Sequence, residues 1–279
     1  EDPLSALTTS ITDLRGQRLL APPGAEWIDY TVRLPASPPL RPAPPDRPTL
    51  ARFRVHGGSR PAMREAVAVA HLVRAALQAR FGRRNEDEVS SVFSGRAGDG
   101  PRTDQHRHAH YLVTPDADGR RVCHVAVWAP EGFGPAEVTA LAGLTELRMR
   151  DADPLRLALT AIGRTEQMRL PSLLGPARAW RSLTPFGLPR HPKRRGGREV
   201  DGAVDQIRRE LALRGLPEPE RIEPVRGAWL EYRRTRPGRS RLEGPRVVGA
   251  RLFFSEEVSG PIALGALSHF GLGLFVSER

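Results

Sequence analysis

Lysine, cysteine and long apolar runs are nearly missing from this 279-residue sequence. The single cysteine, Cys123, excludes an intrachain disulfide framework and a multi-cysteine zinc site, and it fits a reducing compartment. No apolar run approaches the roughly 18 residues of a membrane-spanning helix, so no helix is expected to span a membrane; no membrane partner is expected. Lysine occurs once, as Lys193, among 43 basic residues; with 32 acids the formal net charge is +11. That balance speaks against a small-molecule enzyme with a neutral surface. It points to a polyanion, nucleic acid first and an anionic membrane second, although a GC-rich genome writes the same arginine excess. Hydrophobic residues at 39% exclude wholesale disorder. The length suits two domains at about 150 residues each. The chain opens Glu1-Asp2 with no methionine or signal-like segment, and is read as a processed piece of a longer protein.

Residues 1–34 end in a strand-like segment, Trp27–Leu34, and read as the tail of a preceding domain. Prolines crowd 35–49, which favours an extended, semi-rigid linker. Leu50–His56 alternates apolar and basic residues as a half-buried strand does. Pro61–Phe81 carries a helical apolar stripe, Met63, Ala66, Val67, Ala70, Val73, Ala76, Leu77 and Phe81, with proline in the first turn. A polar loop over 85–105 precedes two strands, His106–Val113 and Val122–Trp128, joined by a turn at 115–119. A helix over Pro135–Arg148 and a strand over Leu155–Ile162 complete a first domain, 50–165. The plan repeats over 175–279: a strand Ala177–Leu188, a helix Asp201–Arg214 with Asp201 as N-cap and Gly215 beyond its end, strands Ile222–Tyr232 and Val247–Ser255, a short helix Pro261–Leu267, and a last strand Phe270–Val276. Each half reads βαββαβ. The expected class is α+β, two tandem ferredoxin-like domains with antiparallel sheets.

Three features carry chemistry. The first is His106, His108 and His110, which share one face if the segment is a strand, with His124 able to join across the hairpin. Imidazoles titrate near neutrality, so positioned histidines suit acid–base catalysis or RNA contact, and the same arrangement could ligate a metal. The second is 177–198, with seven Lys and Arg and no acid: Arg178, Arg181, Arg190, Lys193, Arg194, Arg195 and Arg198. Guanidinium groups bind phosphates bidentately, and Trp180 or Phe186 offers a stacking ring. The third is the glycine-rich end, 259–275, whose N–H groups suit an anion nest or, more plainly, a tight turn into a buried strand. His56 and His71 read as structural, Cys123 as a core residue.

The segments H-R-H-A-H-Y-L (106–112), H-V-A-V-W-A-P-E-G-F (124–133), G-P-A-R-A-W-R-S-L-T-P-F (175–186), P-R-H-P-K-R-R-G-G (189–197) and G-A-L-S-H-F-G-L-G-L-F (265–275) resemble the RAMP-superfamily CRISPR-associated endoribonucleases that process precursor crRNA. In particular they resemble the processing half of the fused fifth-and-sixth-family Cas proteins of type I-U (I-G) systems. The resemblance covers about residues 50–279. It implies metal-independent cleavage of CRISPR repeat RNA by 2′-hydroxyl attack, with no cofactor and no metal. It also implies a cytoplasmic protein that retains crRNA and joins the other subunits of a type I surveillance complex. Expected catalytic residues are His106, His108 and His110. Expected RNA contacts are Arg107, Arg178, Trp180, Arg181, Arg190, His191, Lys193, Arg194, Arg195, His269, Gly271 and Gly273. Many relatives place the catalytic histidine in or just after the first helix, where this chain offers only His56 and His71. A non-catalytic crRNA-binding subunit and a histidine-ligated metal phosphoesterase are the competing readings.

Overall fold

The computed structural model describes residues 8–19, 21, 47–57, 59–86, 88–97, 100–101, 106–149, 152–195, 198–240 and 244–278. The expected strand Trp27–Leu34 and most of the proline tract lie outside them. Residues 1–42 and 43–279 form two compact units. In the first, α1 (Ile11–Gly16) is capped reciprocally by Ser10 and Asp13.

In the second unit, β1 (Leu50–His56) leads through a 3-10 turn at Met63–Glu65 into α2 (Ala66–Gly82). The expected loop holds α3 (Ser91–Ser94) and a short hairpin, β2 (Arg96–Ala97) and β3 (Gly100–Pro101). Next come β4 (His110–Pro115), β5 (Val122–Trp128), α4 (Pro135–Ala142), β6 (Glu146–Met149) and β7 (Ala152–Gly163). The sheet runs β4-β5-β1-β7-β6, all antiparallel. Without edge strand β6 this is the ferredoxin-like order. Alternation in β1 sends Phe53 and Val55 against Val69, Val73 and Leu77 of α2, which builds the first core. The expected helix to Arg148 stops at Ala142: Gly143 caps it, and Leu147 turns inward from β6, paired with Leu155.

After α5 (Pro171–Leu174) come β8 (Ala177–Ser182), β9 (Phe186–Gly187), β10 (Lys193–Arg195), β11 (Arg198–Val200), α6 (Ala203–Leu213), β12 (Arg221–Val225), β13 (Val247–Val258), β14 (Ile262–Ala263) and β15 (Leu274–Glu278). The second sheet runs β12-β13-β8-β15-β14 and is antiparallel, the same ferredoxin-like order again. The fold is therefore α+β with two tandem ferredoxin-like halves. Ile207 and Leu211 of α6 pack on Trp180, Phe186, Leu252 and Phe275.

Three expectations in this half are corrected. The helix Pro261–Leu267 is absent: β14 and a 3-10 turn, Ser268–Phe270, replace it, because Gly265 and Leu267 take left-handed φ of 85° and 63°. The strand expected to reach Tyr232 ends at Val225, and a 3-10 turn, Trp229–Glu231, follows, with Trp229 Nε1 donating to the Val225 carbonyl. Gly202, not Asp201, is the N-cap of α6; Asp201 has φ of 60° and pairs with Arg209 at 2.8 Å. A third core lies between the sheets, where Leu50, Leu112 and Ala126 meet Leu173, Leu174 and Leu274.

Candidate active site

The histidines do gather, but not by strand alternation. His106 has a left-handed φ of 70° and precedes the strand; only His110 lies in β4. A backbone turn brings the rings together, and a fourth ring, His269, completes the group from the Ser268–Phe270 turn. Gly271 lets that turn in: its φ is +82°, and a Cβ there would stand 3.2 Å from the Tyr111 carbonyl on β4. The His269 ring is sandwiched between His108 and His110, each with centroids 3.8 Å away. Trp128 backs His110 at 5.0 Å. Tyr111 points to the opposite face, as alternation requires, and its hydroxyl donates to the Phe93 carbonyl.

Hydrogen bonds assign the proton positions. The Ala109 carbonyl, 3.1 Å from His269 Nδ1, can only accept, so His269 carries its proton on Nδ1. Nε2 of a neutral His269 then accepts from Nδ1–H of His106 at 3.0 Å. A neutral His106 is left with its lone pair on Nε2. His110 donates from Nε2 to the His106 carbonyl at 3.1 Å and fixes the turn. Burial holds His110 neutral, pushing its pKa down to about 3, with Arg214 and His108 adding to the shift against the carbonyls of His106 and Ser268. Burial also lowers His269 well below the usual imidazole value, helped by His110 and His108.

His106 and His110 open on a cleft of about 590 Å³, walled also by Arg107, Trp128, Arg214 and Pro261. Arg214 is buried in that wall. It donates to the Glu210 carboxylate at 2.8 Å and lies 3.4 Å from the Ser268 hydroxyl. Glu210 in turn accepts from Gly265 N–H at 2.8 Å. The anion this glycine receives is thus the protein's own carboxylate. Among the described residues no three His, Cys, Asp or Glu side chains are placed to hold a metal ion. The imidazoles stack face to face, and the assigned ring nitrogens address carbonyls and one another.

Several expected contacts lie elsewhere. His124 does not join the cluster; it stands opposite Arg54 and Thr114 and lines a separate pocket with Arg52 and Arg169. Trp180 and Phe186 are fully buried, and Trp180 Nε1 donates to the Ala177 carbonyl, so neither ring offers a face to a base. Arg178, Arg181, Arg190 and His191 are exposed. The backbone of Arg190 is clamped by the Gln206 side chain. Lys193, Arg194 and Arg195 form β10; their side chains lie outside what is described. Gly273 N–H donates to the Pro185 carbonyl, which commits it to internal packing. Cys123 is half-buried. Glu210 and Arg214 have no sequence signal that marks them for the cleft, because their segment meets it only on folding; Trp128 lies in the resemblance segment 124–133, but nothing there singles it out.

No family model matches the chain, and no curated protein matches it. Solved structures similar to it include a Cas6 product complex, with a TM-score of 0.40 at 14% identity, covering 82% of this chain and 99% of that one. A RAMP protein described as binding different RNA substrates has a TM-score of 0.40 at 12% identity, covering 84% and 100%. The protein of a Cas6-related gene from Pyrococcus furiosus has a TM-score of 0.43 at 11% identity, covering 83% and 99%. Strand order in the two sheets, by itself, makes each half ferredoxin-like. Among the described residues no helix is long and apolar enough to cross a membrane.

Proposed function

We propose that this chain is a metal-independent endoribonuclease that cleaves CRISPR repeat RNA to crRNA and retains its product among the other subunits of a type I surveillance complex. One observation carries the catalytic reading: the hydrogen-bonded relay Ala109 carbonyl–His269–His106, whose outer imidazole borders a cleft that Arg107 and Arg214 also line. His106 Nε2 takes the proton of an RNA 2′-hydroxyl as that oxygen attacks the adjacent phosphorus. The bond from phosphorus to the 5′ oxygen breaks, that oxygen takes a proton from solvent, and a 2′,3′-cyclic phosphate and a 5′-hydroxyl result. The charge that His106 gains is supported through His269, the histidine arrangement serving here as base and orienter. Arg107 lines the same cleft, and in this reading it offsets charge developing on the phosphorane. His108 and His110 are positioning residues in this reading, because they clamp the His269 ring on both sides.

The test is cleavage of repeat RNA in excess chelator. Wild-type protein is expected to cut, and His106→Ala to lose about 10²–10⁴-fold in rate. Cleavage that needs a divalent ion overturns the mechanism, and full activity in His106→Ala overturns the assignment. Tight binding of repeat RNA with no cutting makes the chain a crRNA-binding subunit instead.

A further inference from the structure

The turn that carries His269 into the imidazole stack carries Phe270 into a second, separate cluster. The Phe270 ring lies 6.2 Å from the ring of His71 on α2. The guanidinium carbons of Arg74 and Arg236 stand 5.8 Å and 5.2 Å from its centroid. Arg74 is placed one helical turn beyond His71 and is braced by a bond to the Ser94 carbonyl at 3.0 Å. Arg236 arrives on a loop that is fastened to the start of α2. There Arg233 N–H donates to the Arg64 carbonyl at 2.8 Å, and the Arg233 guanidinium pairs with Glu65 at 3.5 Å.

These cations are held together against their own repulsion. Burial lowers Arg74, and Arg236 and Arg96 lower it further, with Tyr111 acting the other way. Burial and then Arg74, Arg236 and Arg233 hold His71 below the ordinary imidazole value. His71 Nδ1 is buried with no hydrogen-bond partner, and so is Thr235 Oγ1 on the loop. Glu65 is engaged by Arg233, and among the described residues Arg74 and Arg236 form no ion pair. Planar guanidinium forks are shaped for oxyanions.

We propose that His71, Arg74 and Arg236 form an oxyanion site beside Phe270 that takes a phosphate group, from an RNA backbone or from a free phosphate-bearing molecule. The RNA source rests on the nuclease reading above; the site itself does not. Intact protein is titrated with inorganic phosphate, and separately with a single-stranded RNA oligonucleotide over a range of salt. Arg74→Gln and Arg236→Gln are compared with Arg239→Gln, which removes an exposed arginine from the same loop. Phosphate is expected to bind wild type and Arg239→Gln alike, and about tenfold more weakly in the other two. If the site takes RNA backbone, the salt slope of RNA binding falls by about 0.7 for each of those two arginines removed. If phosphate binding weakens while RNA affinity and slope hold, the occupant is a free phosphate compound. No phosphate binding by wild type, or equal binding by all four proteins, overturns the proposal. Arg74 also braces α3, so Arg236→Gln decides the matter if Arg74→Gln misfolds. A protein that cuts no RNA yet binds phosphate through Arg236 loses the nuclease reading and keeps this one.

Discussion

Among the single residues, His110 couples the site to pH. Its folded pKa of about 3 lies far below the ordinary imidazole value of 6.5, so the unfolded chain binds more protons between those two limits. Stability contributed by the neutral ring is therefore full above about pH 6.5 and is lost as the pH falls toward 3. Each unit in that window is worth about 1.4 kcal/mol for one group, or about 2 kcal/mol from pH 6.5 to 5. Thermal melts over this range are expected to show the decline in wild type and a shallower one in His110→Phe, which keeps a flat ring against His269. An equal slope in both proteins would remove His110 as the source. The sequence made the three clustered histidines visible as a group. It did not show that they differ in role, because burial, stacking and the left-handed turn at His106 are set by the packed structure.

At the scale of elements, α6 and the glycine-rich segment hold the cleft wall. Glu210 joins Arg214 four residues on to the Gly265 N–H, with both side chains about nine-tenths buried. Glu210→Leu leaves a buried guanidinium without its counter-charge and the Gly265 N–H without its acceptor. A loss of about 3–5 kcal/mol is expected in denaturant unfolding, because a buried charge deprived of its partner is strongly destabilising. A change below 1 kcal/mol would mean that solvent reaches the pair. The element plan itself was largely readable. Leu50–His56 and Val122–Trp128 occupy their expected ranges, and the α2 stripe is buried apart from Ala76, which is half-buried. The misread elements share a cause. At 143–148 and 261–267 a helix-compatible composition is overridden, in the first by Gly143 and a strand pairing, in the second by left-handed residues at 265 and 267.

For the whole of residues 43–279, the core between the sheets makes the two ferredoxin-like halves dependent on each other. Leu112 from β4 and Leu274 from β15 are both fully buried in it. Leu112→Ala is expected to cost about 2–5 kcal/mol. It is also expected to lower the melting of both halves in one transition, with calorimetric and van't Hoff enthalpies in agreement. Two resolved transitions, with only one of them shifted, would show that the halves unfold separately.

Sequence alone determined the ferredoxin-like repeat, since alternation in strands and a helical stripe are local properties that burial of one face imposes. It also determined the arginine-dominated charge and the cluster at 106–110. Only the tertiary structure decided the site. His269 is 163 residues from His106 and meets it at 3.0 Å because a turn in one half is packed into the other. The same packing buried Trp180, excluded His124, and set Phe270 among arginines from two distant segments. No local pattern encodes which of several histidines or arginines will share one environment. That is fixed by the contacts that exclude water when the two sheets close on their common core.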